Sequence, residues 1–155
     1  MDSLEGKKAP AFTLEGSDRK KHSIKDYAGK KVVIYFYPRD NTPGCTKESC
    51  GFRDLNMELK DLNTVVLGVS KDGLDSHDKF ISDFNLPFVL LSDPDTKMMK
   101  KYGAFGEKVL YGKTSIGTIR STVIIDEQGK VIKHWRKVPK AEAHPAKVLE
   151  VLQSL

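Results

Sequence analysis

The chain predicts an α/β fold, a central mixed β-sheet flanked by helices. Three observations carry this expectation. Strand-like runs alternate with helical patterns as far as Tyr102, the run Val32 to Tyr37 is apolar or aromatic at every position, and the chain closes with a hairpin and a helix. At 155 residues it reads as one domain, residues 1–155, able to bury a core without disulfide staples.

In order along the chain, Gly6 to Leu14 reads as a short edge strand, because Pro10 cannot donate within a sheet. Glu15 to Lys31 mixes turn formers and charges, with room for one helical turn over Ile24 to Tyr27. Val32 to Tyr37 has the β-branched and aromatic character of a central strand. After Cys50, Phe52, Leu55, Leu59 and Leu62 fall on one face of a helix. Val65 to Val69 reads as a strand, and Asp75 and Ser76 as caps for a helix burying Phe80, Ile81 and Phe84 until Pro87. Phe88 to Leu91 is the next strand, and Thr96 to Tyr102 a short helix stopped by Gly103. Ala104 to Gly117 carries three glycines and no clear period, so a long loop, functional or mobile, is expected. Ser121 to Ile125 and Val131 to Trp135 flank a turn at Asp126 to Gly129 and form an antiparallel hairpin. Pro145 opens a final helix with Val148, Leu149, Val151 and Leu152 inward.

The formal charge of +5 is mildly basic. Arg19-Lys20-Lys21 and Lys97 to Lys101 are interrupted and lack interleaved aromatics, which favours solvated surface over a nucleic-acid site. No stretch has the roughly 18 to 20 apolar residues that span a bilayer. The N-terminus has no basic and apolar leader pattern, so a cytoplasmic location is expected. Two cysteines in that setting read as reduced and reactive, or merely buried, rather than as a permanent disulfide.

The segment from Tyr37 to Cys50 concentrates the chemistry. Thr42 suits a helix N-cap and Pro43 the first helical position, which puts Cys45 in the first turn. There, unpaired backbone N–H groups and the positive end of the macrodipole favour a thiolate. Two plainer readings compete, a packing cysteine and a zinc ligand. Zinc is disfavoured by a single Cys-x4-Cys and by four histidines, His22, His77, His134 and His144, scattered along the chain.

Pro38, Thr42 and Cys45 form Pro-x3-Thr-x2-Cys, Arg120 lies in Arg120-Ser121-Thr122-x-x-x-Asp126, and Cys45 to Asp54 reads Cys-Thr-x-Glu-x-Cys-x-Phe-Arg-Asp. With Leu91-Ser92-Asp93-Pro94 downstream, the chain resembles the peroxiredoxins, and within them the Q-type or bacterioferritin-comigratory branch. The resemblance runs from Gly6 to the last helix. It implies a thioredoxin-like fold and a thiol-dependent peroxidase acting on hydrogen peroxide and organic hydroperoxides, as a monomer without metal or organic cofactor. It also implies that Cys45 attacks the peroxide and becomes a sulfenic acid, that Cys50 resolves it as an intramolecular disulfide, and that thioredoxin or a glutaredoxin-like protein reduces that bond. No cysteine follows Cys50, so a C-terminal resolving thiol is excluded. A general thiol-disulfide oxidoreductase and a redox-switched sensor or holdase are the alternatives; the first normally shows Cys-x-x-Cys, which is absent.

Magnitudes say where the rate must come from. A free thiol of pKa about 8.5 is a few per cent thiolate at pH 7, so full ionisation gains roughly 30-fold, about 2 kcal/mol. Enzymes need on the order of 10⁶-fold or more. Charge moves from sulfur onto the leaving oxygen, and each preplaced donor there is worth about 3 to 4 kcal/mol. The candidate donors are the Gly44 and Cys45 amides, the Thr42 hydroxyl and the Arg120 guanidinium, with Pro38 shielding the sulfur and Glu48 orienting Arg120. Five residues along a helix separate Cα atoms by roughly 8.6 Å, beyond the roughly 4.4 to 6.8 Å of a disulfide. The first turns of the helix must therefore unwind before Cys45 and Cys50 join, and Gly51 lowers the cost by up to about 1 kcal/mol.

Overall fold

The computed structural model describes residues 3–155. Its core is a five-stranded sheet of β5 (Val89–Ser92), β4 (Thr64–Ser70), β3 (Lys31–Phe36), β8 (Ser121–Ile125) and β9 (Val131–Trp135) in that order, and β1 (Thr13–Glu15) pairs with β2 (Lys21–Ser23) and β6 (Phe105–Leu110) with β7 (Lys113–Thr118) in two further sheets. The central strand is β3, Lys31–Phe36; it runs parallel to β4, Thr64–Ser70, and antiparallel to β8, Ser121–Ile125. Outside these lie β5, Val89–Ser92, parallel to β4, and β9, Val131–Trp135, antiparallel to β8 with an irregularity at Ile124/Ile125. The sheet is thus mixed, with helices on both faces.

The unbroken apolar run of β3 follows from that central place. Val33 and Tyr35, with Tyr37 just beyond the strand, pack under α1 (Pro43–Asp54), α2 (Asn56–Asp61), α3 (Leu74–Phe84) and α5 (His144–Gln153). Val32, Ile34 and Phe36 face the opposite cluster, which holds Met98 and Met99 of α4 (Lys97–Lys101) together with Tyr102. Alternate side chains of a strand point to opposite faces, so both faces must be apolar.

Several expectations need correction. Residues 104–117 are not a loop: β6, Phe105–Leu110, and β7, Lys113–Thr118, pair in register around Tyr111 and Gly112. Lys113 to Ile116 are all exposed, so no buried face imposed the alternation by which a strand is recognised. The helix after Cys50 is two helices, parted at Leu55, whose φ −98 and ψ 4 lie in the bridge region. Gly73, not Asp75 or Ser76, caps α3. The first strand is confined to β1, Thr13–Glu15, paired with β2, Lys21–Ser23, and Lys8 makes only an isolated bridge to Lys130. Among the described residues, no helix is long and apolar enough to cross a membrane, and no cluster of His, Cys, Asp or Glu could hold a metal.

Candidate active site

The end of β3 delivers the chain to the site. Tyr37 still donates its N–H to the Val69 carbonyl at 3.1 Å, and the loop then turns through Asn41 at φ 61, a left-handed conformation that asparagine tolerates. Thr42 is extended at φ −87, ψ 155 and caps α1 through its carbonyl, which accepts the Thr46 N–H at 2.8 Å. Its side chain makes no cap hydrogen bond, contrary to the simplest N-cap reading. The hydroxyl donates instead to the Arg39 carbonyl at 2.8 Å, which folds the loop on itself and leaves the oxygen's lone pairs free. Because the helical ladder begins at Thr46, the Gly44 and Cys45 amides are unused by the helix.

Cys45 is buried, 1% exposed, and free; Cys50, half-buried on the same helix, is also free. Arg120 reaches Cys45 from 75 residues away. Its Nη2 lies 3.3 Å from Cys45 Sγ, and its Nη1 donates to Glu48 Oε1 at 2.7 Å. The Arg120 backbone is fixed by the Val138 N–H on its carbonyl at 2.8 Å, next to Ile119, whose N–H meets the Ala104 carbonyl at 2.7 Å. Gly44 allows the close approach: a Cβ there would sit 3.2 Å from Nη2 and press on the guanidinium.

Glu48 is the most enclosed charge of the site. It is fully buried, and its second oxygen, Oε2, has no partner. Burial pushes its carboxyl up to about 7, outweighing Arg120, which pulls it down. For Arg120, desolvation works against the charge, but Glu48 and Cys45 more than restore it and raise its pKa. Nearby, His144 meets the Thr122 hydroxyl at 2.8 Å and packs edge-on against Trp135 at 4.9 Å. Desolvation, then Lys147 and Arg120, hold its imidazole down to about 4, so the neutral form is kept at pH 7.

Pro38 and Arg120 border a cleft of about 880 Å³ that the β6–β7 hairpin overhangs with Phe105 and Val109. Arg120 also borders a second cleft, of about 530 Å³, with Gly44, Lys47 and residues 139–143. Arg120 thus borders both clefts and also contacts the sulfur. Gly51 has a role that helix propensity did not reveal: a Cβ there would lie 2.7 Å from Pro145 Cγ, so its absence lets α5 close on α1. Sequence reasoning also passed over Ser49, whose hydroxyl pairs with Tyr35 at 2.8 Å beneath α1. Among the residues singled out beforehand, Cys45, Glu48, Arg120 and Gly44 converge, Pro38 borders a cleft with Arg120, Thr42 stands at the head of α1, and Cys50 lies along the helix.

A family model for the AhpC/TSA family matches residues 5–134. A putative peroxiredoxin bcp of Helicobacter pylori strain J99 is 50% identical over 153 residues, 98% of this chain and all of that one. Peroxiredoxin Bcp of Bacillus subtilis is 43% identical over 150 residues, 97% of this chain and 95% of its own. A structure of the Xanthomonas campestris bacterioferritin comigratory protein, from work on its alkyl peroxide reduction activity, superposes with TM-score 0.86 at 37% identity, over 92% of this chain and 90% of that one. In this chain a buried thiol at a helix start, faced by an arginine, sits on a thioredoxin-like sheet. The chain belongs to the AhpC/TSA family, in the Bcp or Q-type branch of the peroxiredoxins, and is a thiol peroxidase.

Proposed function

We propose that Cys45 is the peroxidatic nucleophile and Cys50 the resolving thiol of a thioredoxin-recycled peroxidase. The supporting observation is the Arg120 fork, with Nη2 at 3.3 Å from Cys45 Sγ and Nη1 at 2.7 Å from Glu48. The Cys45 thiolate attacks the terminal oxygen of a hydroperoxide; the S–O bond forms as the O–O bond breaks, and the departing oxygen takes a proton and leaves as alcohol or water. Sulfur is oxidised by two electrons to the sulfenic acid and the peroxide is reduced by two. Arg120 and the Gly44 and Cys45 amides donate to the oxygen that gains charge, where preplaced dipoles act most strongly. Arginine suits this place because a rigid fork can hold Glu48 with one nitrogen and face the reacting atoms with the other.

Cys50 then attacks the oxidised sulfur, expels water and leaves an intramolecular disulfide, which thioredoxin or a glutaredoxin-like dithiol reduces. Hydrogen peroxide and organic hydroperoxides are the substrates, the 1–155 domain works as a cytoplasmic monomer, and Pro38 limits water at the sulfur. No metal, organic cofactor, nucleic acid or membrane enters the scheme. Stopped-flow reaction of reduced wild type, Cys45→Ser and Cys50→Ser with hydrogen peroxide, followed by intact mass, tests it. Rapid loss of one thiol in wild type and Cys50→Ser, none in Cys45→Ser, and a disulfide in wild type alone are expected. Reaction at the pace of an ordinary thiolate would refute the scheme.

A further inference from the structure

Between Pro38 and Cys45 the loop sends one side chain inward. Asp40 is bound there from three directions: Tyr37 donates its hydroxyl to Oδ1 at 2.5 Å, Ser76 donates to Oδ2 at 2.8 Å, and His77 Nδ1 stands 2.7 Å from Oδ2. The side chains of His77 and Asp40 are 0% and 1% exposed. On the far side of the ring, His77 Nε2 is 2.9 Å from the Leu91 carbonyl oxygen of β5.

These contacts fix a proton count. A carbonyl has no proton to give, so Nε2 carries one. Nδ1 faces a carboxyl group that already accepts from two hydroxyls, so a second proton lies between Nδ1 and Oδ2. Whichever atom holds it, the pair carries one proton more than a neutral imidazole beside a carboxylate and is neutral overall. Tyr37 stays a donor, because burial, then Tyr35 and Asp40, hold its phenol well above its ordinary range. The other acidic group at the network is Asp72, whose carboxylate accepts the Asp40 N–H at 2.7 Å and the Ser70 hydroxyl at 2.9 Å. Asp75 and Asp78, which flank Ser76 and His77 on α3, are turned to solvent and face Arg19.

The anchor lies five residues before Cys45. Asn41, at φ 61, is the only residue between it and Thr42, whose carbonyl takes the first helical hydrogen bond of α1. A buried ion pair contributes little net stability over apolar packing of the same volume. What it supplies is direction. Resting on the reading of Cys45 as the attacking thiol, we propose that His77 is a positioning residue: through Asp40 it sets the Pro38–Thr42 arm, and so aims the first-turn amides and Cys45 Sγ at the peroxide.

The test compares two reactions of the same thiol, with hydrogen peroxide, which demands alignment, and with iodoacetamide, which demands only a thiolate. Glutamine offers one donor and one acceptor where His77 donates at both ends. His77→Gln should slow the peroxide reaction by about 10- to 100-fold, the scale of an ångström's misplacement, and alkylation by less than about threefold. Asp40→Ala should match it. Asp40→Asn should recover to within about fivefold of wild type, since an amide can accept from Tyr37 and donate to a neutral Nδ1. Imidazole nitrogen NMR of wild type should show Nε2 protonated and a hydrogen-bonded proton at Nδ1. An unchanged peroxide rate in folded His77→Gln, an equal fall in alkylation, or an unprotonated Nδ1 contact would each overturn the proposal. If His77→Gln does not fold, Asp40→Asn decides, and a peroxide loss beyond about tenfold in that variant overturns it. Wild type and Cys45→Ser in the same assay test the underlying reading separately.

Discussion

Replacing Arg120 by alanine removes two bonds at once, Nη1 to Glu48 at 2.7 Å and Nη2 to Cys45 at 3.3 Å. Opposite unit charges at that second distance attract by about 5 kcal/mol at an effective dielectric near 20, before desolvation is subtracted. The Arg120 side chain is only 18% exposed, so that subtraction is substantial. The remainder compares with loss of one preplaced oxyanion donor, about 2.7 to 4 kcal/mol, or about 100- to 1,000-fold in the second-order rate constant for peroxide. Lost ionisation could account for at most roughly 30-fold at pH 7, so a larger fall means lost transition-state stabilisation. Glu48 does not unfold the variant, because without the cation its carboxyl rises further and keeps its proton near neutral pH. Arg120→Lys keeps the charge but cannot span both partners, and should lose at least about tenfold. Stopped-flow fluorescence gives the peroxide rate, and iodoacetamide alkylation of the same samples gives the thiolate. A peroxide loss under about tenfold in Arg120→Ala, or one matched by alkylation, would refute the assignment.

Three further outcomes can be checked directly. Cys45 and Cys50 lie on the unbroken helix Pro43–Asp54, so disulfide formation should strip hydrogen-exchange protection over residues 45–52; equal protection in oxidised and reduced protein would contradict helix unwinding. The Glu48 carboxyl, raised to about 7 in the folded state, holds a proton that the unfolded chain releases near 4.5. Its contribution is therefore present below about pH 4.5 and is lost as pH rises through about 7, by up to about 3 kcal/mol; Glu48→Gln should flatten that part of the thermal stability profile, and an unchanged slope would count against it. Gly51→Ala gains about 1 kcal/mol of helix propensity but sets a Cβ 2.7 Å from Pro145 Cγ, where overpacking costs about 1 to 3 kcal/mol, so the urea midpoint should fall; a rise would mean that α5 yields.

What could be read in advance was local. Pro43 and Thr42 place the start of α1, and β3 announces its doubly covered position by an unbroken apolar run, because caps and burial leave their mark within a few residues. The motif around Cys45 and the Arg120 signature were legible by resemblance, and the fork that joins them follows from the geometry of the sheet. Long-range polar choices were opaque. His77 looked like one scattered histidine, since nothing in its neighbours tells that its ring will bridge Asp40 and Leu91. The β6–β7 hairpin was missed because its outer strand buries almost nothing, and Gly51 was read for flexibility because the ring of Pro145 is 94 residues away in sequence.

The register of β3 against β8 has a consequence for a chain still being synthesised. Phe36 pairs with Ser121, so the residue that precedes β8 arrives beside the loop that follows β3 only when the antiparallel ladder closes. A ribosome releases Cys45 long before Arg120, the cation that faces it. A one-residue slip of that ladder would turn the side chains of β8 to the opposite faces of the sheet and carry the residue before it away from Cys45. In the nascent chain the Arg120 contact to Cys45 therefore awaits the pairing of β8 with β3, and on the proposed assignment peroxide chemistry awaits it too, rather than the emergence of Cys45.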